Sequence, residues 1–158
     1  MTKSDLITRV IARLSADLEQ LTTAALATHA EATDEENKAE DKYDTRGLEA
    51  SYLAHGQSKA AEEAAQAVAQ FQALPVKDFA AGEPISLGAL VTLEGKDKSH
   101  YFIGSRAGGT EVRADGQLVM VITPQSPLGR QLMGRKQGDT LSLDFGGRRS
   151  DHRVVAVS

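Results

Sequence analysis

The spacing of apolar residues in this chain changes once, at Leu74-Pro75, and that change commits it to a helical part followed by a sheet-forming part. Before it, Ile7, Ile11, Leu14, Leu18, Leu21, Ala25, Thr28 and Ala32 are spaced alternately by four and three, a heptad seam sustained over about four repeats. Ala50, Leu53, Gln57, Ala60, Ala64, Ala67, Phe71 and Leu74 repeat the alternation with smaller side chains. Small residues on one helix facing Leu and Ile on the other let two antiparallel helices approach closely. Each helix should run about 30 residues, or about 45 Å at 1.5 Å per residue. Ser4 is the expected N-cap of the first. Proline ends the second, because it cannot donate the next helical hydrogen bond and it restricts the residue before it.

Of the 14 glycines, 12 lie beyond Pro75. There the period becomes two: Leu87, Ala89, Val91 and Leu93 alternate with Gly88, Leu90 and Thr92. Further strands are expected at Tyr101 to Gly104, Leu118 to Thr123, Thr140 to Phe145 and Arg153 to Val157. Turn signals separate them at Gly95, Gly108-Gly109, Asp115-Gly116, Gly138-Asp139 and Gly146-Gly147, and Gly104 to Gly109 reads as a hairpin connection. Ser126-Pro127 reads as an N-cap followed by proline at the first helical position, opening one short helix through Leu128, Leu132 and Met133 to Gly134. The expected fold class is α+β: an antiparallel helical coiled-coil hairpin over 1–75, a linker over 76–84, and a small antiparallel sheet domain with one short helix over 85–158, the two halves packing separately.

Charge is distributed unevenly. Between Glu31 and Glu49 stand eight acids and three bases, a net of −5, while the whole chain carries −4. The expected turn of the hairpin is therefore an acidic tip, offering hard oxygen ligands to a cation or charge to a basic surface. A solvated acidic turn with local pairs such as Asp34–Lys38 is the plainer alternative. Residues 76–158 hold 11 basic and 9 acidic side chains, a mildly basic module. The overall acidity argues against nucleic-acid binding driven by counterion release, so no direct sequence-specific nucleic-acid binding is expected. The chain has no cysteine, which excludes disulfides and zinc ribbons. The N-terminus shows neither a signal peptide nor a membrane span, so a cytoplasmic protein is expected. His29, His55, His100 and His152 lack ligand spacing.

The most specific stretch runs from Ile122 to Thr140 and contains Ser126-Pro127-Leu128-Gly129-Arg130-Gln131-Leu132-Met133-Gly134-Arg135-Lys136. With the layout around it, this resembles the bacterial Gre transcript-cleavage factors. In that family a long antiparallel coiled coil precedes an FKBP-like domain carrying a Ser-Pro-[Ile/Leu]-[Ala/Gly]-Arg-x-Leu-[Ile/Leu/Met]-Gly-[Lys/Arg] segment. The resemblance covers the full chain in architecture and is motif-specific over roughly residues 118–145. It implies a protein that binds bacterial RNA polymerase at its secondary channel and is not itself an enzyme. Ser126, Pro127, Leu128, Gly129, Arg130, Leu132, Gly134, Arg135 and Lys136 would lie on the docking surface. The coiled coil would carry the acidic tip toward the catalytic magnesium, where two-metal hydrolysis of RNA needs a second Mg²⁺ and a positioned water.

At the tip the sequence departs from the family, whose cleavage factors carry Asp-x-x-Glu-Asn-Ala-Glu-Tyr. If Tyr52 takes the place of that tyrosine, the expected Glu falls on Leu48 and the expected Asp on Thr45, and neither keeps a carboxylate. Asp44 and Glu49 lie one position away, about 100° around a helix. Asp41, Asp44 and Glu49, then Glu40, are the candidates for assisting the polymerase. Asp41 and Asp44 are the candidate Mg²⁺ contacts, shared only within the polymerase complex, and no cofactor is expected on the chain alone. Stimulation of cleavage and non-cleaving competition both stay open. A coiled-coil interaction module is the main alternative, against an expected monomer. A peptidyl-prolyl isomerase is a lesser one, its pocket limited to Phe79, Tyr101, Phe102 and Phe145.

Overall fold

A computed structural model describes residues 2–33 and 46–158. The first helix, α1, spans Lys3–Thr33, and the second, α2, spans Arg46–Ala73. Helix α1 starts ahead of where a Ser4 cap would place it, with Thr2 as the capping residue. The Thr2 hydroxyl accepts from the Asp5 amide at 3.1 Å, and the Asp5 carboxylate accepts from the Thr2 amide at 3.4 Å. This reciprocal arrangement satisfies two donors that a helix start leaves open. The Thr2 hydrogen bonds hold the Asp5 carboxyl below the usual aspartate range.

Two compact units share these helices. Ala12–Ala69 forms one, and Met1–Ile11 with Gln70–Ser158 forms the other. Within Ala12–Ala69 the described residues are the two helices alone, so the burial of Leu14, Ala25, Ala54, Ala67 and Val68 means that the helices pack on each other. The start of α1 and the end of α2 share the other unit, which makes the pair antiparallel. Among the described seam residues, Leu53 departs from the heptad reading: it is 57% exposed while its neighbour Ala54 is buried.

After α2 come β1 (Leu90–Glu94), β2 (Lys98–Ile103), β3 (Glu111–Ala114), β4 (Gln117–Ile122), the short helix α3 (Pro127–Leu132), β5 (Thr140–Phe145) and β6 (Arg148–Val157). They form one six-stranded sheet in the order β3-β4-β2-β1-β6-β5. The sheet is mixed, not antiparallel as expected, because β2 and β4 run parallel, with His100 opposite Val119 and Ile103 opposite Ile122. The cause is β3, a strand that the sequence reading lacked. Inserting one strand between β2 and β4 reverses the direction in which the chain returns beside β2. Gly104 to Gly109 is accordingly not a hairpin connection: it carries the chain past the place that β4 then fills. Hairpin turns do lie at Gly95 to Asp97, between Glu94 and Lys98, and at Asp115-Gly116 and Gly146-Gly147. The last two have positive φ at all four residues, the backbone that two-residue turns require.

Both faces of the sheet are apolar. One carries Val91, Leu93, Ile103, Ile122, Leu141, Leu143 and Val154, packed with Phe79, Ile85 and Leu132. On the other, Phe102 meets the Phe71 ring at 6.1 Å between centroids. Leu6, Ile7 and Val10 are also buried, and both helix ends belong to the compact unit that holds the sheet. Phe71, the large apolar side chain at the end of α2, needs a partner surface, and Phe102 on the second sheet face supplies it. The segment before β1 is stitched to the helix start. The Lys3 ammonium donates to the Lys77 carbonyl and sits 4.6 Å from the centre of the Phe79 ring, as does that of Lys77, which also pairs with Glu83 at 2.6 Å. Burial holds the Lys3 ammonium below the ordinary lysine range, while Asp78 and Glu83 act in the opposite sense.

Phe71→Ala removes a side chain that is 2% exposed, and it should cost about 3–5 kcal/mol in chemical denaturation. Leu53→Ala, at an equally apolar seam position that is exposed, should stay within about 0.5 kcal/mol.

Candidate functional site

The segment from Thr123 to Asp139 is built by a chain of local hydrogen bonds. Ser126 is extended, with φ −65° and ψ 156°, and caps α3, its hydroxyl accepting from the Gly129 amide at 3.0 Å and donating to the Thr123 carbonyl at 2.7 Å. Pro127 fits the first helical position because an amide there would have no acceptor. A Cβ on Gly129 would fall on the Thr123 carbonyl oxygen, so the helix entrance closes this tightly only around glycine. At the exit, Gly134 takes φ +82° and donates to the Ile85 carbonyl at 2.9 Å, while the Ile85 amide donates to the Arg135 carbonyl at 2.7 Å. Ile85 is 1% exposed, so the exit of α3 is fixed against the core, while Thr123 and Ser126 hold its start. The Asp139 carboxylate then accepts from the Lys136 amide at 2.8 Å and closes the turn into β5.

This frame sorts the expected docking residues by role. Leu132 is fully buried and Gly129 is buried, so these two hold α3 in place and offer a partner no surface. Ser126 and Leu128 are half-buried, and Pro127, Arg130, Gly134, Arg135 and Lys136 are exposed. The exposed set presents three positive charges at the end of one short helix. Two cavities flank it. One, of about 650 Å³, is lined by Arg130, Gln131, Met133 and Arg135 from α3 and its exit, and by Asp139, Thr140, Leu141 and Ser142 from the start of β5. The other, of about 490 Å³, is mainly apolar and is lined by Tyr101, Met120, Ile122, Leu128 and neighbours.

Of the four aromatics that an isomerase pocket would need, Tyr101 packs against the core cluster that holds Phe79, while Phe102 lies apart from it against Phe71. Phe79 is buried on one sheet face and Phe102 on the other, Tyr101 lines the apolar cavity, and the Phe145 side chain lies outside the described residues. Glu40, Asp41 and Asp44 lie outside the described residues as well, and Glu49 falls within α2 with its side chain outside the description. Among the described residues no group of acids or histidines is placed to hold a metal ion. His100 shares a hydrogen bond with Thr92 and His152 one with Ser150. No described helix is long and apolar enough to cross a membrane. The two cavities are what the sequence reading missed, since they depend on which strands flank α3.

No family model matches the chain. Two relatives are named transcription inhibitor protein Gfh1. One, from Thermus thermophilus, is 32% identical over 131 residues, covering 76% of this chain and 75% of its own. The other, from Thermus aquaticus, is 29% identical over 120 residues, covering 76% and 74%. A crystal structure of GreA factor homolog 1 (Gfh1) of Thermus thermophilus is 24% identical, covers 94% of both chains and has a TM-score of 0.39.

Ser126→Ala removes both hydrogen bonds of the cap. It should cost about 1 kcal/mol, read as a fall of about 2–4 °C in Tm, with the amides of Gly129 and Arg130 exchanging faster than in the unmodified protein.

Proposed function

Since this chain belongs to the Gre-like family of bacterial transcription factors, we propose that it is a transcription inhibitor that occupies the secondary channel of bacterial RNA polymerase without stimulating transcript cleavage. The observation that carries this reading is the pairing of two facts: the similarity to proteins named transcription inhibitors, and Thr45 and Leu48 where the cleavage-factor pattern sets its Asp and Glu. A threonine hydroxyl and an aliphatic side chain do not replace two carboxylates as ligands for a hard divalent cation.

In this account the exposed residues of the α3 segment, Pro127, Arg130, Gly134, Arg135 and Lys136, dock on the polymerase. The acidic segment 31–49 points to the catalytic magnesium. Asp41 and Asp44, with Glu49 and Glu40 beside them, contact Mg²⁺ there in an arrangement that blocks the centre and does not position a water for hydrolysis. The protein is not itself an enzyme, holds no metal alone, makes no sequence-specific contact with nucleic acid, and works as a monomer in the cytoplasm.

Reconstituted backtracked elongation complexes test this. The protein should leave the RNA 3′ end uncut and should reduce cleavage by an added standard cleavage factor in proportion to its concentration. Changing Asp41, Asp44 and Glu49 together to Asn or Gln should weaken that inhibition about tenfold or more. Cleavage that depends on those three acids would overturn the inhibitor reading and leave a cleavage factor with a rearranged tip.

A further inference from the structure

The strand order leaves β5 at one edge of the sheet, with α3 and its exit alongside it. A free edge presents unpaired main-chain donors and acceptors, the template on which an extended segment adds as a further strand. The register says which groups these are. Phe145 pairs with Arg148 across the two-residue Gly146-Gly147 turn, and that closing pair exchanges hydrogen bonds. Counting back in steps of two, Leu143 and Leu141 face β6, so Thr140, Ser142 and Asp144 turn their N–H and C=O groups outward.

Side chains alternate in the other sense. Leu141 and Leu143 are buried in the core under α3, which sends the Thr140 and Ser142 side chains to the opposite face. What these two residues contribute to the 650 Å³ cavity on the α3 side is therefore the edge of their backbone. The cavity is thus a groove with main-chain groups on one wall and helix side chains on the other.

Its charge selects the occupant. Arg130 and Arg135 stand on the helix wall against a single acid, Asp139, whose carboxylate is already engaged by the Lys136 amide. Arg135 donates through Nε to the Gln131 carbonyl at 3.4 Å, which steadies it at the helix end, and Arg130 makes no ion pair among the described residues. Met133 and Leu141 give the floor a small apolar part between the charges.

We propose that this groove binds an extended acidic segment of a partner protein, which adds beside β5 as a seventh strand and sets its carboxylates against Arg130 and Arg135. Main-chain hydrogen bonds to Thr140 and Ser142 supply the pairing, and alternate side chains of the segment meet the arginines. The arginines also belong to the surface assigned to polymerase docking, but the edge of β5 does not, so a change at Ser142 separates the two readings.

The test is an NMR titration of the full chain with the acetylated hexapeptide Val-Asp-Val-Glu-Val-Asp, against Val-Lys-Val-Lys-Val-Lys. The acidic peptide should shift the amides of Thr140, Ser142 and Asp144, and the basic one should not. Ser142→Pro removes an outward N–H at an edge position where proline is tolerated, and it should abolish these shifts while leaving polymerase inhibition unchanged. Arg130→Glu with Arg135→Glu, both at exposed positions, should weaken binding at least tenfold with Tm preserved. Absence of acidic-peptide binding, equal binding of both peptides, or binding that survives Ser142→Pro would overturn the proposal. So would the same shifts appearing with rising protein concentration and no peptide, which would make a second copy's acidic segment the occupant.

Discussion

A sheet of six strands with apolar side chains on both faces cannot stay in water with either face open. Each face of this one is covered by a different part of the chain. Leu132 of α3, with Phe79 and Ile85 from the segment before β1, covers the first; Phe71 from the end of α2 lies on the second, against Phe102. Fully burying a Leu, Ile, Val or Phe side chain gains about 1.5–3 kcal/mol each. Burial of Phe71 on the second face therefore ties the end of α2 firmly to the sheet. The rest of the arrangement follows from this: α3 is free to sit on one side only, and its exit is fixed where Ile85 passes.

What could be read from the sequence was what local chemistry decides. The Ser126-Pro127 cap and the Gly134 exit are set within a few residues, and the structure has them where the spacing put them. The heptad seam is local too, and most of it holds. Strand β3 was not legible, because Glu111-Val112-Arg113-Ala114 is four residues long and half charged, with too few alternations to stand out from a loop. Its absence from the reading turned a mixed sheet into an antiparallel one, since the direction of β4 depends on counting every strand before it. The Thr2 cap was overlooked in favour of Ser4 because both residues suit the position, and only the partner at Asp5 decides between them. The flanking cavities depend on long-range strand order, which no local pattern encodes.

For function, the α3 segment and the acidic segment bear in different ways. The α3 segment supplies geometry: a short helix pinned at both ends, showing Arg130, Arg135 and Lys136 while Leu132 and Gly129 hold it down. The acidic segment supplies chemistry by composition, eight acids with none at Thr45 or Leu48. Moving a carboxylate one place along a helix turns it about 100°, more than enough to lose a shared ligand position on a cation with strict octahedral demands. Charge can thus be kept near a metal while the catalytic arrangement is lost, and that distinction separates an occupant of an active centre from an assistant to it.

The most direct measurement places the acidic segment relative to the polymerase metal. With Fe²⁺ substituted for Mg²⁺ in the polymerase centre, locally generated hydroxyl radicals cut only protein backbone close to the ion. The account predicts cuts in this chain confined to about residues 38–50, abolished when a standard cleavage factor is added in excess. Cuts within the sheet, or none in a complex shown to be formed, would contradict it.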